Sequence, residues 1–234
     1  MHIKHFTFNC FQTACYLAWD DKGNCAITDP GCQTQAESAI IGSFIESQKL
    51  NPVCIMLTHC HFDHIYGMAG IARKYGIPVY AGKDEAYTLE NTNPYMCRTF
   101  GVPEPDTFPF NGGEEDPEKQ LARFVSEGDT IEVGDLRFEV IGTPGHSAGG
   151  VCYLEREGKA LFSGDTLFAG AIGRSDHPGG DYDLLMRNIF EKLICLDGDT
   201  RVFPGHGPST DIATERMTNP FLLPFNEPYE EQGL

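Results

Sequence analysis

The sequence has few basic residues for its length. It contains 17 lysines and arginines against 34 aspartates and glutamates, which gives a formal net charge of −17 at pH 7. A surface of this sign repels phosphate backbones and anionic lipid, so neither nucleic acid nor a membrane is an expected partner. The expected partner is a small-molecule substrate, and an anionic substrate would need a local basic group.

Two other patterns are missing. No apolar stretch approaches the roughly 18 residues of a transmembrane helix, and no basic-then-apolar leader opens the chain. The nine cysteines are odd in number and irregularly spaced, which does not fit the disulfide framework of a small secreted protein. We therefore expect mostly buried, reduced cysteines and a cytoplasmic location.

The length and the apolar periodicity indicate one large domain, 1–234, with a full core. Strands are predicted at 3–8, 15–19, 24–28, 53–57, 78–81, 130–133, 136–141, 151–155, 160–162 and 201–203. Helices are predicted at 34–49, 64–75, 83–90 and 181–195. Thr34 and Glu37 fit a capping box at the start of the first helix. The two halves repeat one plan of strands, a helix, and a strand that ends in a polar loop.

The segment 91–118 differs in character from the rest of the chain. It is rich in proline, glycine and acidic residues, and its prolines exclude long helices. We predict an excursion over the surface. Its aromatic residues, among them Tyr95, Phe100, Phe108 and Phe110, favour a packed lid or substrate wall over a poorly ordered loop.

A dense cluster of ligand-type residues follows the predicted strand 53–57. Three imidazoles and a carboxylate lie within the run Thr58-His59-Cys60-His61-Phe62-Asp63-His64. Such a composition is unusual for a polar turn between a buried strand and a helix. Imidazole and carboxylate together suit zinc, iron or manganese. The run therefore predicts a metal site at a strand end.

Three further strand ends each offer one ligand-type residue beside a glycine: His146, Asp165 and His206. Glycine lets the backbone bend tightly, so these loops can converge on the first cluster. The seven residues are enough for two metal ions with about three protein ligands each and one shared carboxylate. Asp29, in a Pro-Gly turn, is either turn chemistry or an acceptor that holds a ligand histidine.

In the order and context of these motifs the chain resembles the metallo-β-lactamase superfamily. The matching motifs are the run 58–64, Gly145-His146, Gly164-Asp165 and Gly205-His206. The resemblance spans nearly the whole chain and implies an α/β fold, an αββα sandwich of two mixed sheets flanked by helices, with the ligands at one edge. Aspartate at 165 argues against the classical lactamases, which place a cysteine there, and His61 argues against the flavodiiron-type pattern.

Within that superfamily the chain looks like the single-domain hydroxyacylglutathione hydrolases, which are glyoxalase II-like. The segments that carry this likeness are 163–168, 173–176, 178–181, 204–208 and 215–221. The resemblance implies two divalent metal ions, with zinc expected first and iron or manganese as alternatives. It assigns His59, His61 and His146 to one ion, Asp63, His64 and His206 to the other, and Asp165 to both.

The resemblance also implies the chemistry. A hydroxide held between the ions would attack a thioester carbonyl, because metal binding lowers the pKa of water to about 7. Asp63 and Asp165 are the predicted catalytic carboxylates. Ser147 and Cys60, although beside ligands, are expected to pack or hydrogen-bond and not to act as nucleophiles. Arg174 is the candidate for binding an anionic substrate, and the alternative is an ion pair with a nearby aspartate, Asp176 or Asp181.

Other functions fit parts of the pattern. A persulfide dioxygenase would hold one iron on His59, His146 and Asp165, an arrangement suited to oxygen chemistry. A lactonase or other ester hydrolase would differ only in the pocket. A non-enzymatic module stapled by metal is disfavoured, because a chain of this length has core enough without metal and seven ligands exceed a closed structural site. The sequence predicts no oligomeric state.

Overall fold

Two mixed six-stranded sheets form the centre of the fold. The computed structural model describes residues 1–107 and 121–223. The first sheet is ordered along the chain as β1 (His2–Phe8), β2 (Thr13–Trp19), β3 (Asn24–Thr28), β4 (Asn51–Met56), β5 (Val79–Gly82) and β6 (Ala122–Val125). Its first three strands are antiparallel, and β3 to β6 are parallel. The antiparallel meander and the crossovers that follow it explain why this sheet is mixed.

The second sheet comes from the later half of the chain. Its strands and a short hairpin are β7 (Thr130–Val133), β8 (Leu136–Gly142), β9 (Val151–Glu155), β10 (Ala160–Gly164), the hairpin strands β11 (Leu167–Phe168) and β12 (Ala171–Ile172), β13 (Arg201–Pro204) and β14 (Thr210–Asp211). The order in the sheet is β14-β13-β10-β9-β8-β7, with the hairpin separate. Only the β10–β13 pair is parallel among the described strands of this sheet.

Helices connect the strands and cover the outer faces. They are α1 (Gln35–Gln48), α2 (Phe62–Ile65), α3 (Met68–Tyr75), α4 (Glu85–Tyr87), α5 (Asn93–Phe100), α6 (Tyr182–Asn188) and α7 (Ile212–Thr218). Single π-helical turns at Thr88–Thr92 and Ile189–Leu193 extend α4 and α6. The predicted capping box is confirmed, because Thr34 Oγ1 accepts from the Glu37 amide and the Glu37 carboxylate accepts from the Thr34 amide.

The central strands β2, β3, β9 and β10 are buried on both faces, which produces four layers. In β2, Tyr16 and its same-face neighbours pack into the core between the sheets, where they meet Phe138 and Phe162 of the second sheet. The alternate residues of β2, such as Leu17, face the core beneath α1 and α3. The outer face of the second sheet packs against α6 and α7 in the same way. A strand buried on both faces requires a covering layer on each side, so the predicted αββα sandwich is confirmed.

Several predicted boundaries are wrong. The predicted helix 64–75 is two helices, because the Gly67 amide bonds to the Pro30 carbonyl at 2.8 Å and the chain bends there. The strand predicted at 53–57 begins at Asn51, where it pairs in parallel with β3. The segment 91–118 contains α5, and Pro94 is tolerated because it stands in the first turn.

Other predictions were partly right or missing. The helix predicted at 181–195 is α6 followed by its π-helical turn. The helix α7 and the β11–β12 hairpin were not predicted. Phe108, Phe110 and the rest of 108–118 lie outside the described residues. All nine cysteines are free, and seven of them are buried, as expected. Among the described residues, no helix has the length and apolarity to span a bilayer.

Candidate metal centre

Four strand ends deliver ligand-type side chains to one edge of the sandwich. The loop after β4 carries four of them, and the loops after β8, β10 and β13 carry one each. The structure brings all seven sequence-predicted residues together at this edge: His59, His61, Asp63, His64, His146, Asp165 and His206. The close approach depends on glycine, because a Cβ on Gly205 would lie 2.7 Å from Cε1 of His64.

The first group contains three imidazoles, His59, His61 and His146. His61 Nδ1 lies 2.8 Å from His146 Nε2, and His59 Nε2 lies 3.3 Å from the same atom. All three side chains are buried. We call this group the first triad.

The second group contains a carboxylate and two imidazoles, Asp63, His64 and His206. The Nε2 atoms of His64 and His206 are 3.3 Å apart, and Asp63 Oδ2 lies 3.5 Å from each of them. His64 is fully buried, whereas 29% of the His206 side chain is exposed. We call this group the second triad.

Asp165 lies between the two triads. Its Oδ1 is 3.4 Å from His64 Nε2, and its Oδ2 is 3.5 Å from His146 Nε2 and 3.4 Å from His206 Nε2. The carboxylate therefore reaches a member of each triad at once. This is the position that a shared ligand between two metal ions would occupy.

Hydrogen bonds on the far side of the rings orient four of the imidazoles. His64 Nδ1 donates to Asp29 Oδ2 at 3.1 Å, and the Thr58 hydroxyl, which donates to the same oxygen at 2.6 Å, accepts from His59 Nδ1 at 3.1 Å. His146 and His206 donate from Nδ1 to backbone carbonyls, those of Arg174 at 2.7 Å and Phe11 at 3.1 Å. These acceptors fix the tautomers that leave each Nε2 facing inward. Asp29 thus orients a candidate ligand histidine and does more than close a turn.

The two triads differ in their electrostatics. Burial is the main reason that the pKa values of His59 and His61 fall well below the ordinary value, and it lowers the pKa of His146 to about 4. Burial acts in the same direction on His64 and His206, but Asp63 and Asp165 outweigh it. They raise the pKa of His64 and bring that of His206 to about 11.

The carboxylates respond in the opposite sense. Burial opposes the ionisation of Asp63, yet His64 and His206 lower its pKa to about 2. The same histidines hold the pKa of Asp165 far below its ordinary value, against its burial. The first triad is therefore a neutral set of imidazoles, and the second is a set of opposite charges.

The donor set fits divalent metal ions. Four inward Nε2 atoms, the Nδ1 atom of His61 and two ionised carboxylates converge on one volume, and borderline metals such as zinc and iron bind these ligand types. Asp165 Oδ1 is buried and has no hydrogen-bond partner. A buried carboxylate oxygen without a donor is costly unless a cation satisfies it.

Arg174 lies beside the first triad but points outward. Its backbone carbonyl orients His146, while its side chain is 55% exposed and pairs with Asp176 through Nε at 2.7 Å. The ion pair that the sequence offered as an alternative is thus present. The role of Arg174 in binding an anion stays a prediction.

Sequence reasoning missed four residues at this edge. The Thr13 hydroxyl donates to Asp63 Oδ2 at 2.7 Å, and Asn9 Nδ2 donates to the Asp63 carbonyl at 3.0 Å. The ring of His177 lies 4.7 Å from that of His61. Glu85 is buried behind the ligand loops. Of these four, only Glu85 gave a signal in the sequence, because it stands just after a predicted strand end. The other three residues lie far along the chain from the ligands that they contact.

Comparisons with known proteins agree with this geometry. The sequence profile described as the metallo-beta-lactamase superfamily matches residues 8–206. The hydroxyacylglutathione hydrolase GloC of Haemophilus influenzae is 36% identical over 222 residues, which cover 95% of this chain and 98% of that protein.

Two solved structures extend the comparison. The BLEG-1 B3 metallo-beta-lactamase is 35% identical, with a TM-score of 0.82 over 94% of this chain and 99% of that one. TTHA1623, solved in a di-iron-bound form, is 33% identical, with a TM-score of 0.77 over 94% of this chain and 100% of that one.

Proposed function

The chain belongs to the metallo-beta-lactamase superfamily, and on that premise we propose that this metallohydrolase is a two-metal thioester hydrolase of the glyoxalase II type. The observation that carries the proposal is a pair of three-residue donor sets that share one carboxylate, Asp165. Similarity to a hydroxyacylglutathione hydrolase over 98% of that relative supports the substrate class.

The first triad would hold one divalent ion and the second triad the other, with Asp165 contributing to both. Zinc is the metal that we propose first, and the di-iron form of TTHA1623 keeps iron as an alternative. Bound divalent ions supply a water of lowered pKa and polarise a carbonyl oxygen.

The remaining chemistry belongs to the chain. Asp29 and the carbonyls of Phe11 and Arg174 hold the imidazole rings in place before substrate arrives. On the second-triad side, the ring of Phe168 lies 6.2 Å from that of His206 and offers an apolar wall. On the first-triad side, Arg174 offers the positive charge that an anionic thioester would need.

Side-chain nucleophiles are disfavoured. The Ser147 hydroxyl is buried and donates to Glu85 Oε1 at 2.6 Å, so it is engaged as a structural donor. Burial, with a further contribution from Glu85, raises the pKa of the Cys60 thiol well above its ordinary value. A thiol in this state is not a nucleophile at neutral pH.

The second triad is what favours a hydrolase over a persulfide dioxygenase. A single iron would need only His59, His146 and Asp165. The dioxygenase leaves the clustering of Asp63, His64 and His206 around Asp165 without a role. We keep the dioxygenase as an outcome of the test.

The test combines metal analysis with a substrate panel. Protein purified without added metal is analysed for metal per chain. The zinc-, iron- and manganese-loaded forms are then assayed with S-lactoylglutathione, other thioesters, lactones, a β-lactam and glutathione persulfide. We expect two metal ions per chain and fastest turnover of a thioester. One iron per chain, with oxygen uptake on glutathione persulfide, would contradict the proposal.

A further inference from the structure

Glu85 is a buried carboxylate that the proposed chemistry does not use. It stands at the first position of α4, just after β5, and is 1% exposed. Its carboxylate accepts three hydrogen bonds from the ligand loops: Oε2 from the Cys60 amide at 2.6 Å, and Oε1 from the Ser147 hydroxyl at 2.6 Å and the Gly149 amide at 2.9 Å. Such a group is stable in the interior only because its donors are fixed.

The three donors come from the two loops that carry the first triad. Cys60 lies between His59 and His61, and Ser147 directly follows His146. Glu85 therefore bridges the two loops, and it belongs to neither triad. Its carboxylate sets the distance between the backbones of those loops.

The second triad has different supports. Thr13 and Asn9 hold Asp63, and Asp29 and the Phe11 carbonyl orient His64 and His206, respectively. The three bonds that Glu85 accepts from the ligand loops all come from the first-triad side. Asp29 also reaches the first triad through the Thr58 hydroxyl, which accepts from His59 Nδ1, so the supports meet there, whereas the ligand-loop bonds of Glu85 stay on the first-triad side.

The packing behind the first triad is close. A Cβ on Gly149 would lie 2.5 Å from the Glu85 amide nitrogen, and a Cβ on Gly82 would collide with the Gly149 carbonyl. Only glycine at these two positions lets the His146 loop reach Glu85. The loop cannot shift toward α4 to compensate for a shorter or missing carboxylate.

We propose that Glu85 is the positioning residue of the first triad, holding the His59–His61 loop and the His146 loop at the spacing that a metal ion requires. This inference rests on the metal centre of the proposed function. The carboxylate is needed because it can accept from two backbone amides at once. Glutamine of the same shape would turn an N–H₂ group toward one of those amides and lose that bond.

The test measures metal affinity and not turnover. We titrate three metal-free proteins with Co²⁺: wild type, Glu85→Gln and Ser147→Ala. The visible absorption of the bound Co²⁺ reports the occupancy of each site. Ser147→Ala removes one of the three bonds and is the milder change. Glu155→Gln is the matched control, because Glu155 is also buried and accepts from a backbone amide, that of Gly158 at 2.6 Å. Glu155 stands at the opposite end of β9 from Val151, whose amide bonds to the Thr58 carbonyl.

We expect Glu85→Gln to weaken one of two Co²⁺ sites by about 10- to 100-fold, the usual effect of losing a support behind metal ligands. Ser147→Ala should weaken the same site less, and Glu155→Gln should leave both sites unchanged. In a His206→Ala background, which keeps only the first triad intact, Glu85→Gln should weaken the one remaining site to the same extent.

Equal weakening of both sites by Glu85→Gln, or wild-type affinity at both in Glu85→Gln and Ser147→Ala, would overturn the positioning role. If Glu85→Gln does not fold, the affinities of Ser147→Ala decide. Wild type that binds two Co²⁺ ions but cleaves no thioester would refute the proposed function and leave the role of Glu85 intact. Wild type that binds no Co²⁺ would refute both.

Discussion

The two triads lie side by side and differ in charge. The first is made of neutral, buried imidazoles whose pKa values are lowered, and the second pairs ionised carboxylates with histidines whose pKa values are raised. The first triad can therefore accept a cation without giving up a proton at neutral pH, whereas the second must release at least the proton of His206. The same ligand types thus form two sites of different character, because only one of them includes carboxylates.

Neutralising Asp165 should have the largest effect, because both triads share its carboxylate. Asp165→Asn keeps the size of the side chain but removes the charge that both triads share, so we expect turnover to fall by about 10³-fold or more while the fold is largely kept, since a catalytic ion supplies several kcal/mol of stabilisation. Thioesterase kinetics and thermal unfolding of the metal-free protein measure the two effects. Unchanged thioesterase or esterase activity would remove the central claim.

The pH dependence of metal binding should separate the triads. Burial lowers the pKa of His206, but Asp165 and Asp63 outweigh it and bring that pKa to about 11, so His206 carries a proton at neutral pH that the metal must displace. Affinity of the second triad should fall about tenfold for each pH unit of acidification below that pKa. The pKa of His146 is about 4, so the first triad should lack this dependence near neutral pH.

Calorimetry in buffers of different ionisation enthalpy counts the protons released. We expect at least one proton, that of His206, when the second triad fills and almost none for the first. His206→Ala should eliminate the release that is due to this residue. Equal proton release at the two sites would show that the electrostatic contrast is not real.

A support of the second triad gives the counterpart to Glu85. Thr13→Val keeps the shape of the side chain but removes the hydrogen bond to Asp63 Oδ2, which is 2.7 Å long in the native protein. We expect the Co²⁺ affinity of the second triad to fall by about tenfold or more, because hydrogen bonds to charged groups are worth about 1.5 kcal/mol or more. The first triad should keep its affinity.

The control for that change is Thr218→Val, since the exposed Thr218 hydroxyl donates to the Thr214 carbonyl within α7. If Thr13→Val weakens both sites alike, the support that Thr13 gives to Asp63 is not confined to the second triad. That result would also count against independent positioning by Glu85.

The smallest effect should come from Arg174, on the first-triad side. Arg174→Ala should raise KM for an anionic thioester by about three- to fivefold and leave kcat nearly unchanged, because an exposed charge pair contributes about 1 kcal/mol or less. Asp176→Asn should lower KM by freeing the guanidinium group. Steady-state kinetics with an anionic and a neutral thioester measure both changes.

Arg187→Ala serves as the control, because Arg187 is also an exposed arginine and lies in α6. Equal changes in KM for the two thioesters would exclude Arg174 as the anion-binding group. The metal centre itself would then be the group that attracts an anionic substrate.

Prediction from sequence succeeded where the interactions are local. The capping box of Thr34 and Glu37 and the end of α3 at Gly76, which adopts a positive φ of 64°, each depend on a few neighbouring residues. The ligand run 58–64 also needs no long-range contact to be recognised. These features are encoded in residue type and spacing.

Prediction failed where distant segments decide. The break before α3 depends on the carbonyl of Pro30, which stands in the turn after β3 and before α1. The hydrogen bond from Thr13 to Asp63 spans 50 positions, and that from Ser147 to Glu85 spans 62. No periodicity in one segment reports a partner so far along the chain.

The sequence by itself determined the ligand types, their places at strand ends and the apolar pattern that requires four layers. The family resemblance already predicted which ligands share a triad and that Asp165 belongs to both, and the structure places these residues together accordingly. The tertiary structure alone decided that the two triads differ in charge and that Glu85 ties two of the loops together. The physical reason is that ligand type follows from side-chain chemistry, whereas charge and pKa follow from distances between groups that only folding brings within reach of each other.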